Sequence, residues 1–173
     1  MKTLPQATLI YLVRDGQILL GLKQKKVAAG KRSGYGGKQE SGDVSMHHTA
    51  VRELFEETGE GISAEPHDMI PQAVIDFTLK NSEGNHFAMR VFIYLLEKFS
   101  GEPCDSDEMK DHQWFDVDSI PYDNMLVDNQ LYLPKVLNKE YFTAEIVSEA
   151  GEVVRADFVQ KTKEEIQELF STY

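Results

Sequence analysis

The sequence predicts an α/β fold in which a mixed β-sheet lies between helices. Apolar, β-rich runs separated by turn residues recur along the chain, and a helix with an acidic face interrupts them near residue 50. A later run, residues 87–96, is apolar on both of its faces, which indicates a central strand covered from each side. This order of strands and helices fits one sheet packed between helical layers.

Size and composition favour one domain, residues 1–173, because 173 residues with 41% hydrophobic content can bury a sizeable core. The formal charge of −11 disfavours stable binding to nucleic acid. Cys104 is the single cysteine, which indicates a reducing compartment, and no apolar run predicts a membrane span or a signal peptide. We therefore expect a cytoplasmic protein, and the sequence leaves its oligomeric state open.

The first elements surround a glycine-rich loop. Residues 7–13 and 18–23 are predicted to form a hairpin, and residues 28–34 a loop beside the site. After the glycine-rich loop, residues 36–43, a helix is predicted to begin behind Ser45 as its N-cap.

The remaining elements follow from alternation, turn residues and helical periodicity. They are strands at residues 73–79, 87–96, 113–117, 141–147 and 153–158, a helix at 129–137, and a last helix at 163–170 capped by Thr162. On the last helix, Ile166, Leu169 and Phe170 are predicted to pack inward.

Three glutamates of the central helix share one face. Glu53, Glu56 and Glu57 are spaced i, i+3, i+4 and so lie within about 100° of one another. Like charges at this spacing repel, so the stripe is either a solvated surface or a site where a divalent cation reverses the sign. The residues predicted to be buried on the opposite side are Val51, Leu54 and Phe55.

The loop before this helix suits phosphate. Gly36 and Gly37 permit close approach of the backbone to a ligand, and Lys38 places a cation near phosphate oxygens. Carboxylates together with substrate phosphates are the ligands that Mg²⁺ takes. Loop and helix together predict a site for diphosphate chemistry.

The stretch from Gly37 to Gly59 resembles the Nudix box, G-x5-E-x7-R-E-U-x-E-E-x-G-U, where U is a bulky aliphatic residue. Asp43 stands for the first Glu, and eight residues rather than seven separate it from Arg52. The extra residue can be absorbed before the helix, and Ile62 is expected to replace the final aliphatic residue. The resemblance implies a Nudix-type α/β/α sandwich. The matching positions are Gly37, Asp43, Arg52, Glu53, Leu54, Glu56, Glu57 and Gly59.

Further segments are similar to the oxidised purine nucleoside triphosphatases, the 8-oxo-dGTP diphosphatases of vertebrate type. This similarity extends to about Phe158, so the final helix, about 162–173, is expected to be an addition to the domain. The similar segments are residues 8–9, 18–23, 29–30, 34–38, 106–109, 114–115 and 120–121.

The resemblance implies hydrolysis of a nucleoside triphosphate to monophosphate and diphosphate, with Mg²⁺ as cofactor and Mn²⁺ as an alternative. Glu56 or Glu57 would accept the proton of the attacking water, and Arg52 would pair with Glu56 and orient it. An acidic loop in solvent is the other interpretation of residues 105–108. The implied metal ligands are the carbonyl of Gly36 and the carboxylates of Glu53, Glu56, Glu57 and Glu108.

Substrate binding is implied at two groups of positions. Ser33 stands where the family has Asn, Leu126 where it has a Trp that packs on the purine, and Asn129 where it has the second of two Asp. A lost aromatic platform weakens stacking unless Tyr35, Phe77 or Tyr132 compensates. The implied positions are Tyr35, Gly36, Gly37 and Lys38 in the loop, and Thr8, Lys23, Ser33, Leu126, Asp128 and Asn129 around the base.

Two assignments stay open at this point. Asp128 is either an acceptor for the base or the N-cap of the following helix, whereas the amide of Asn129 can donate and accept toward a purine edge. The alternatives to a triphosphatase are hydrolysis of a dinucleotide, a nucleotide sugar or an RNA 5′ end, and a non-catalytic module that senses nucleotides.

Overall fold

Ten strands and three α-helices make up residues 3–172, the part of the chain that the computed structural model describes. The strands are β1 (Gln6–Arg14), β2 (Gln17–Lys23), β3 (Arg32–Ser33), β4 (Ile62–Ser63), β5 (Ile70–Lys80), β6 (His86–Leu96), β7 (Ser100–Gly101), β8 (Met109–Asp116), β9 (Phe142–Glu149) and β10 (Glu152–Gln160). The helices are α1 (Met46–Glu57), α2 (Asn129–Leu137) and α3 (Lys163–Ser171).

Eight strands form one mixed sheet in the order β10-β9-β5-β6-β1-β2-β3, with β8 also paired to β2. The opening hairpin of β1 and β2 is antiparallel, whereas β1 runs parallel to β6 and β5 runs parallel to β9. Strands β4 and β7 form a separate two-stranded ladder. Residues 91–96 of β6 are all buried, which confirms the predicted central strand for that half of the run.

Alternating residues of the sheet pack into two cores. Tyr11 lies in a core with Leu133 and Val136 of α2, whereas its neighbour Ile10 lies in the other core. That second core includes Leu54 of α1 and Phe170 of α3. The sheet therefore lies between α2 on one face and α1 with α3 on the other, as the predicted α/β/α arrangement requires.

Two of the helices have the N-cap residues that the sequence predicts. The Ser45 hydroxyl accepts a hydrogen bond from the backbone N–H of His48 at 3.3 Å, and Thr162 forms a reciprocal capping box with Glu165. On α3, Ile166 and Phe170 are buried and Leu169 packs against the same core. Residues 28–34, predicted as a loop, contain the short strand β3, which pairs with β2.

The predicted buried face of α1 is wrong in one respect. Phe55 is 39% exposed, whereas Glu53 is 7% and Glu57 only 1% exposed. The helix contacts the sheet through Met46, Ala50 and Leu54, and Glu53 and Glu57 fall on this same side at 100° per residue. Glu53 and Glu57, two of the three glutamates that match the acids of the Nudix box (the box acids), therefore lie between the helix and the sheet rather than in solvent.

No helix within residues 3–172 combines the length and the hydropathy that crossing a bilayer requires.

Candidate active site

The glycine loop lies against β1 and α1. A Cβ at Gly36, whose φ is +154°, would meet the Thr8 carbonyl oxygen at 2.0 Å, and a Cβ at Gly37 would lie 2.5 Å from the Glu53 carboxyl group. The Thr8 N–H donates to the Gly37 carbonyl at 2.9 Å. Glycine is required at both positions, because the loop backbone approaches the protein's own strand and its own acid.

Glu57 is the most enclosed of the box acids. Its carboxylate accepts the Gly36 N–H at 2.8 Å and forms an ion pair with the Lys23 ammonium group, which is itself buried. Burial raises the pKa of Glu57, and the charge of Lys23 opposes that rise. Lys23 therefore acts as the counter-ion of Glu57.

Glu53 and Glu56 differ in environment although both contact Arg52. Burial raises the pKa of Glu53 to about 7, although the Arg52 Nη1 atom lies 3.0 Å from its carboxylate. Glu56 is also reached by Arg52, at 3.2 Å, but its side chain is 57% exposed. Glu56 is the box acid most open to solvent.

Arg52 has its closest partner outside the helix. Its Nε and Nη2 atoms donate to the two carboxylate oxygens of Asp43 at 3.0 and 2.8 Å, and Nη2 also reaches the Lys38 carbonyl at 3.1 Å. The Thr49 hydroxyl donates to Asp43 as well, and the Arg52 bonds hold the pKa of Asp43 well below its usual range. The predicted pair of Arg52 with Glu56 is present. The bidentate ion pair with Asp43 was not predicted, although the match of Asp43 to the first acid of the Nudix box could have indicated it.

The carboxylates suit a hard divalent cation in chemistry, because burial disfavours their charge and a cation would stabilise it. Within residues 3–172, however, no three acidic, imidazole or thiol groups converge as a ready metal site. Lys23 neutralises Glu57, and Arg52 neutralises Glu53. Glu108 forms a longer ion pair with Lys26, at 3.5 Å.

Asp128 and Asn129 lie at the start of α2. Asp128 has helical backbone angles, φ −68° and ψ −22°, and its side chain makes no capping hydrogen bond. Asp128 is therefore the N-cap residue of α2 by position, but its side chain does not cap the helix. Asp128 is 4% exposed, and burial raises the pKa of its carboxyl group to about 6.

The remaining base-side residues are divided between the two faces of the sheet. Thr8 precedes Ile10 by two residues on β1 and so shares the face that α1 covers, as does Lys23 through its contact with Glu57. The buried Thr8 hydroxyl has no hydrogen-bond partner in the part of the chain that the structure describes. Ser33 and Leu126 are half-buried.

Tyr35 is not available to stack on a base. Its ring is fully buried and its hydroxyl lies 2.7 Å from the His112 Nδ1 atom. Tyr132 is also buried, whereas Phe77 is half-buried with its ring 5.8 Å from that of Tyr132. Of the three aromatic residues expected to compensate for Leu126, Phe77 retains the most accessible ring.

A family model of the NUDIX domain matches residues 3–136. The chain belongs to the Nudix family. This Nudix chain is a hydrolase, and Nudix hydrolases generally use divalent metal ions. The family match includes the glycine loop, α1 and α2 up to residue 136, so the final hairpin and α3 lie beyond it. Whether α3 is an addition to the domain stays a prediction.

Two curated relatives carry the same description, oxidized purine nucleoside triphosphate hydrolase. The one from Danio rerio is 33% identical over 169 residues, which cover 98% of this chain and all of the relative. The one from Mus musculus is 31% identical over 142 residues, covering 82% of this chain and 85% of the relative.

Solved structures agree with the Nudix fold. A MutT protein from Bacillus halodurans superposes with a TM-score of 0.74 at 23% identity, covering 90% of this chain and 97% of that one. A MutT NUDIX hydrolase from Burkholderia pseudomallei gives a TM-score of 0.59 at 28% identity, covering 69% and 88%. These likenesses confirm the predicted α/β/α sandwich.

Proposed function

We propose that this Nudix hydrolase cleaves purine nucleoside triphosphates with an oxidised base, such as 8-oxo-dGTP, to the monophosphate and diphosphate. The full-length similarity to the zebrafish hydrolase supports this substrate class. The observation that carries it is the Asp128 carboxyl group, which is buried beside the sheet and is not used as a helix cap. Removal of oxidised nucleotides from the precursor pool would be the role of such an enzyme.

The proposed cofactor is Mg²⁺, with Mn²⁺ as an alternative. When bound, such an ion would neutralise phosphate charge and lower the pKa of a water molecule. The protein groups that would hold it are the Gly36 carbonyl, Glu53, Glu56, Glu57 and Glu108.

The proposed general base, which accepts the proton of the attacking water, is Glu56. It is the most exposed of the three box acids, so water reaches it, and Arg52 orients its carboxylate from 3.2 Å. Glu57 is engaged by Lys23 and by the Gly36 N–H, which suits a fixed ligand better than a group that takes up a proton. Lys38 lies in the glycine-rich loop and is exposed, so its charge would contact the phosphates of the substrate.

The proposed base recognition follows from the chemistry of oxidation. Oxidised guanine carries a donor at N7 and an acceptor at O8, so an ionised Asp128 would accept from N7 and would be repelled by the lone pair of normal guanine. The unpartnered hydroxyl of Thr8 is a further polar group for the nucleotide, on the α1 face of the sheet.

The test compares kcat/KM for 8-oxo-dGTP and dGTP with Mg²⁺, with diphosphate as the detected product. We expect a ratio far above one, which Asp128→Ala should reduce toward one. Turnover of both nucleotides at equal, low efficiency would instead favour a dinucleotide, a nucleotide sugar or an RNA 5′ end as substrate. A nucleotide that raises the melting temperature without being hydrolysed would favour a non-catalytic sensing module.

A further inference from the structure

The amide group of Asn129 is already engaged on all sides. Its Nδ2 atom donates to the Leu126 carbonyl at 3.0 Å and to the Asp128 Oδ1 atom at 3.1 Å. Its Oδ1 atom lies 3.1 Å from the hydroxyl of Tyr11 and 3.1 Å from the hydroxyl of Tyr132. An amide has two donor hydrogens and two acceptor sites, so little remains for a ligand.

The orientation of this amide is determined by its neighbours. The Leu126 carbonyl can only accept, so the atom facing it at 3.0 Å has to be the amide nitrogen. The oxygen then faces the two phenol groups, which lie 2.8 Å from each other, so two hydroxyl hydrogens are shared among three oxygen–oxygen contacts. Burial raises the pKa of Tyr11 and of Tyr132, so both hydroxyls keep their hydrogens.

The whole cluster is shielded from solvent. Asp128, Asn129 and Tyr132 are each at most 6% exposed, and Tyr11 is fully buried. In such surroundings a hydrogen bond is strong and a lost partner is costly, so the Asn129 side chain has one stable position. That position keeps the second N–H of Asn129 on the Asp128 carboxylate, on which the backbone N–H groups of Asp128 and Asn129 also act.

We propose that Asn129 is a positioning residue, which Tyr11 and Tyr132 clamp in place and which holds the carboxyl group of Asp128 toward the base. This inference rests on the proposed function, and it replaces the expectation that the Asn129 amide itself reads a purine edge. The base would then be read from this end of α2 by a single acid. Tyr11 and Tyr132 become specificity-determining residues that act through Asn129.

The first test does not depend on any substrate. The pKa of the Asp128 carboxyl group is measured by carboxyl ¹³C NMR titration in the wild type, in Asn129→Leu and in Tyr132→Phe. Asn129→Leu removes the N–H donor to Asp128, so its pKa should rise by about one unit, and Tyr132→Phe should raise it in the same direction by less. An unchanged pKa in both variants would overturn the proposal whatever the enzyme hydrolyses.

The second test uses discrimination. Tyr11→Phe and Tyr132→Phe should each lower the kcat/KM ratio of 8-oxo-dGTP to dGTP about tenfold, through KM rather than kcat, because neither hydroxyl touches the reacting phosphates. Tyr94→Phe is the matched control: Tyr94 is also buried, but it lies in the α1 core with its hydroxyl 3.4 Å from His47. Clamp variants that keep the ratio as fully as Tyr94→Phe would reject the positioning role.

Different results would reject the proposed substrate and the proposed role of Asn129. A wild-type ratio near one would reject the proposed substrate, while the NMR titration would still decide whether Asn129 holds Asp128. A high wild-type ratio that survives loss of both clamp hydroxyls would retain the substrate and reject the clamp. Tyr11→Phe and Tyr132→Phe differ from the wild type by one oxygen atom each, so they keep the test informative if Asn129→Leu fails to fold.

Discussion

Arg52 binds Asp43 through a two-pronged ion pair, with Nε 3.0 Å from Oδ1 and Nη2 2.8 Å from Oδ2. Because Asp43 precedes α1 and Arg52 lies within it, the pair joins the glycine loop to the helix that carries the box acids. The remaining nitrogen of Arg52 contacts Glu53 and Glu56. One guanidinium group therefore sets the position of the loop and of two acids together.

Replacing this fork should affect activity more than stability. Arg52→Lys keeps the charge but loses the planar pair of donors, so we expect kcat/KM to fall about a hundredfold and the free energy of unfolding by about 2 kcal/mol. Arg90→Lys is the matched control, since Arg90 binds Asp76 with the same fork, at 2.8 and 2.8 Å, on β6 and β5. Equal losses of kcat/KM in the two variants would contradict the special role of Arg52.

The buried pair of Lys23 and Glu57 predicts a metal-dependent stability. Lys23→Met leaves Glu57 buried without its counter-ion, which should cost about 3 kcal/mol in metal-free buffer. Added Mg²⁺ should then raise the melting temperature of the variant more than that of the wild type, because the ion takes over the neutralisation. Lys80→Met, which removes the exposed partner of Glu149 on β9, serves as the control. An equal response to Mg²⁺ in Lys23→Met and the wild type would argue against a cation at Glu57.

Glu53 predicts how the stability of the metal-free protein changes with pH. Its pKa rises from 4.5 to about 7 on folding, so between these values the folded state binds more protons than the unfolded state. Stability should therefore fall as the pH rises through this window, and Glu53→Gln should make the fall less steep. Urea unfolding at pH 5, 6, 7 and 8 measures the free energy of unfolding of both proteins. An equal dependence on pH in the wild type and Glu53→Gln would refute the raised pKa of Glu53. Some slope should remain, because the pKa values of Glu57 and Asp128 shift in the same direction.

Glu56 predicts a loss of turnover without a loss of fold. Glu56→Gln should lower kcat at least about a hundredfold, because an amide cannot take up the proton of the attacking water. Its side chain is mostly exposed, so the melting temperature without metal should stay the same or rise slightly as repulsion from the neighbouring acids is relieved. Glu164→Gln, on the exposed first turn of α3, should leave both quantities unchanged. Near-normal turnover in Glu56→Gln would show that Glu56 does not accept the proton of the attacking water.

The sequence predicts the order of elements well, because hairpins, caps and helical periodicity are local. The helix at residues 129–137 and the cap at Ser45 are found where they were predicted. The buried face of α1 was harder to predict. The prediction assumed that apolar residues face the core, whereas Glu57 is buried and Phe55 is exposed. Hydrophobicity alone does not reveal an acid that is buried and balanced by a lysine distant in the sequence.

Long-range polar contacts were not predictable in this way. Tyr11 and Tyr132 are 121 residues apart, and nothing in either local sequence indicates that their hydroxyls meet at Asn129. The contact arises because β1 is central in the sheet and α2 packs directly on its face. The pattern does predict both elements, but only the packed structure brings their polar atoms together.

Cys104 offers a direct way to observe the end of α1 and the loop packed against it. It is the only cysteine in the chain and it is exposed. Its backbone N–H donates to the Thr58 carbonyl at the end of α1, and two residues later the Ser106 hydroxyl donates to the Glu57 carbonyl at 3.1 Å. A thiol-reactive fluorophore would therefore attach at one site without mutagenesis, beside the loop that leads to Glu108. Its emission should report rearrangement of that loop during a single turnover, in real time.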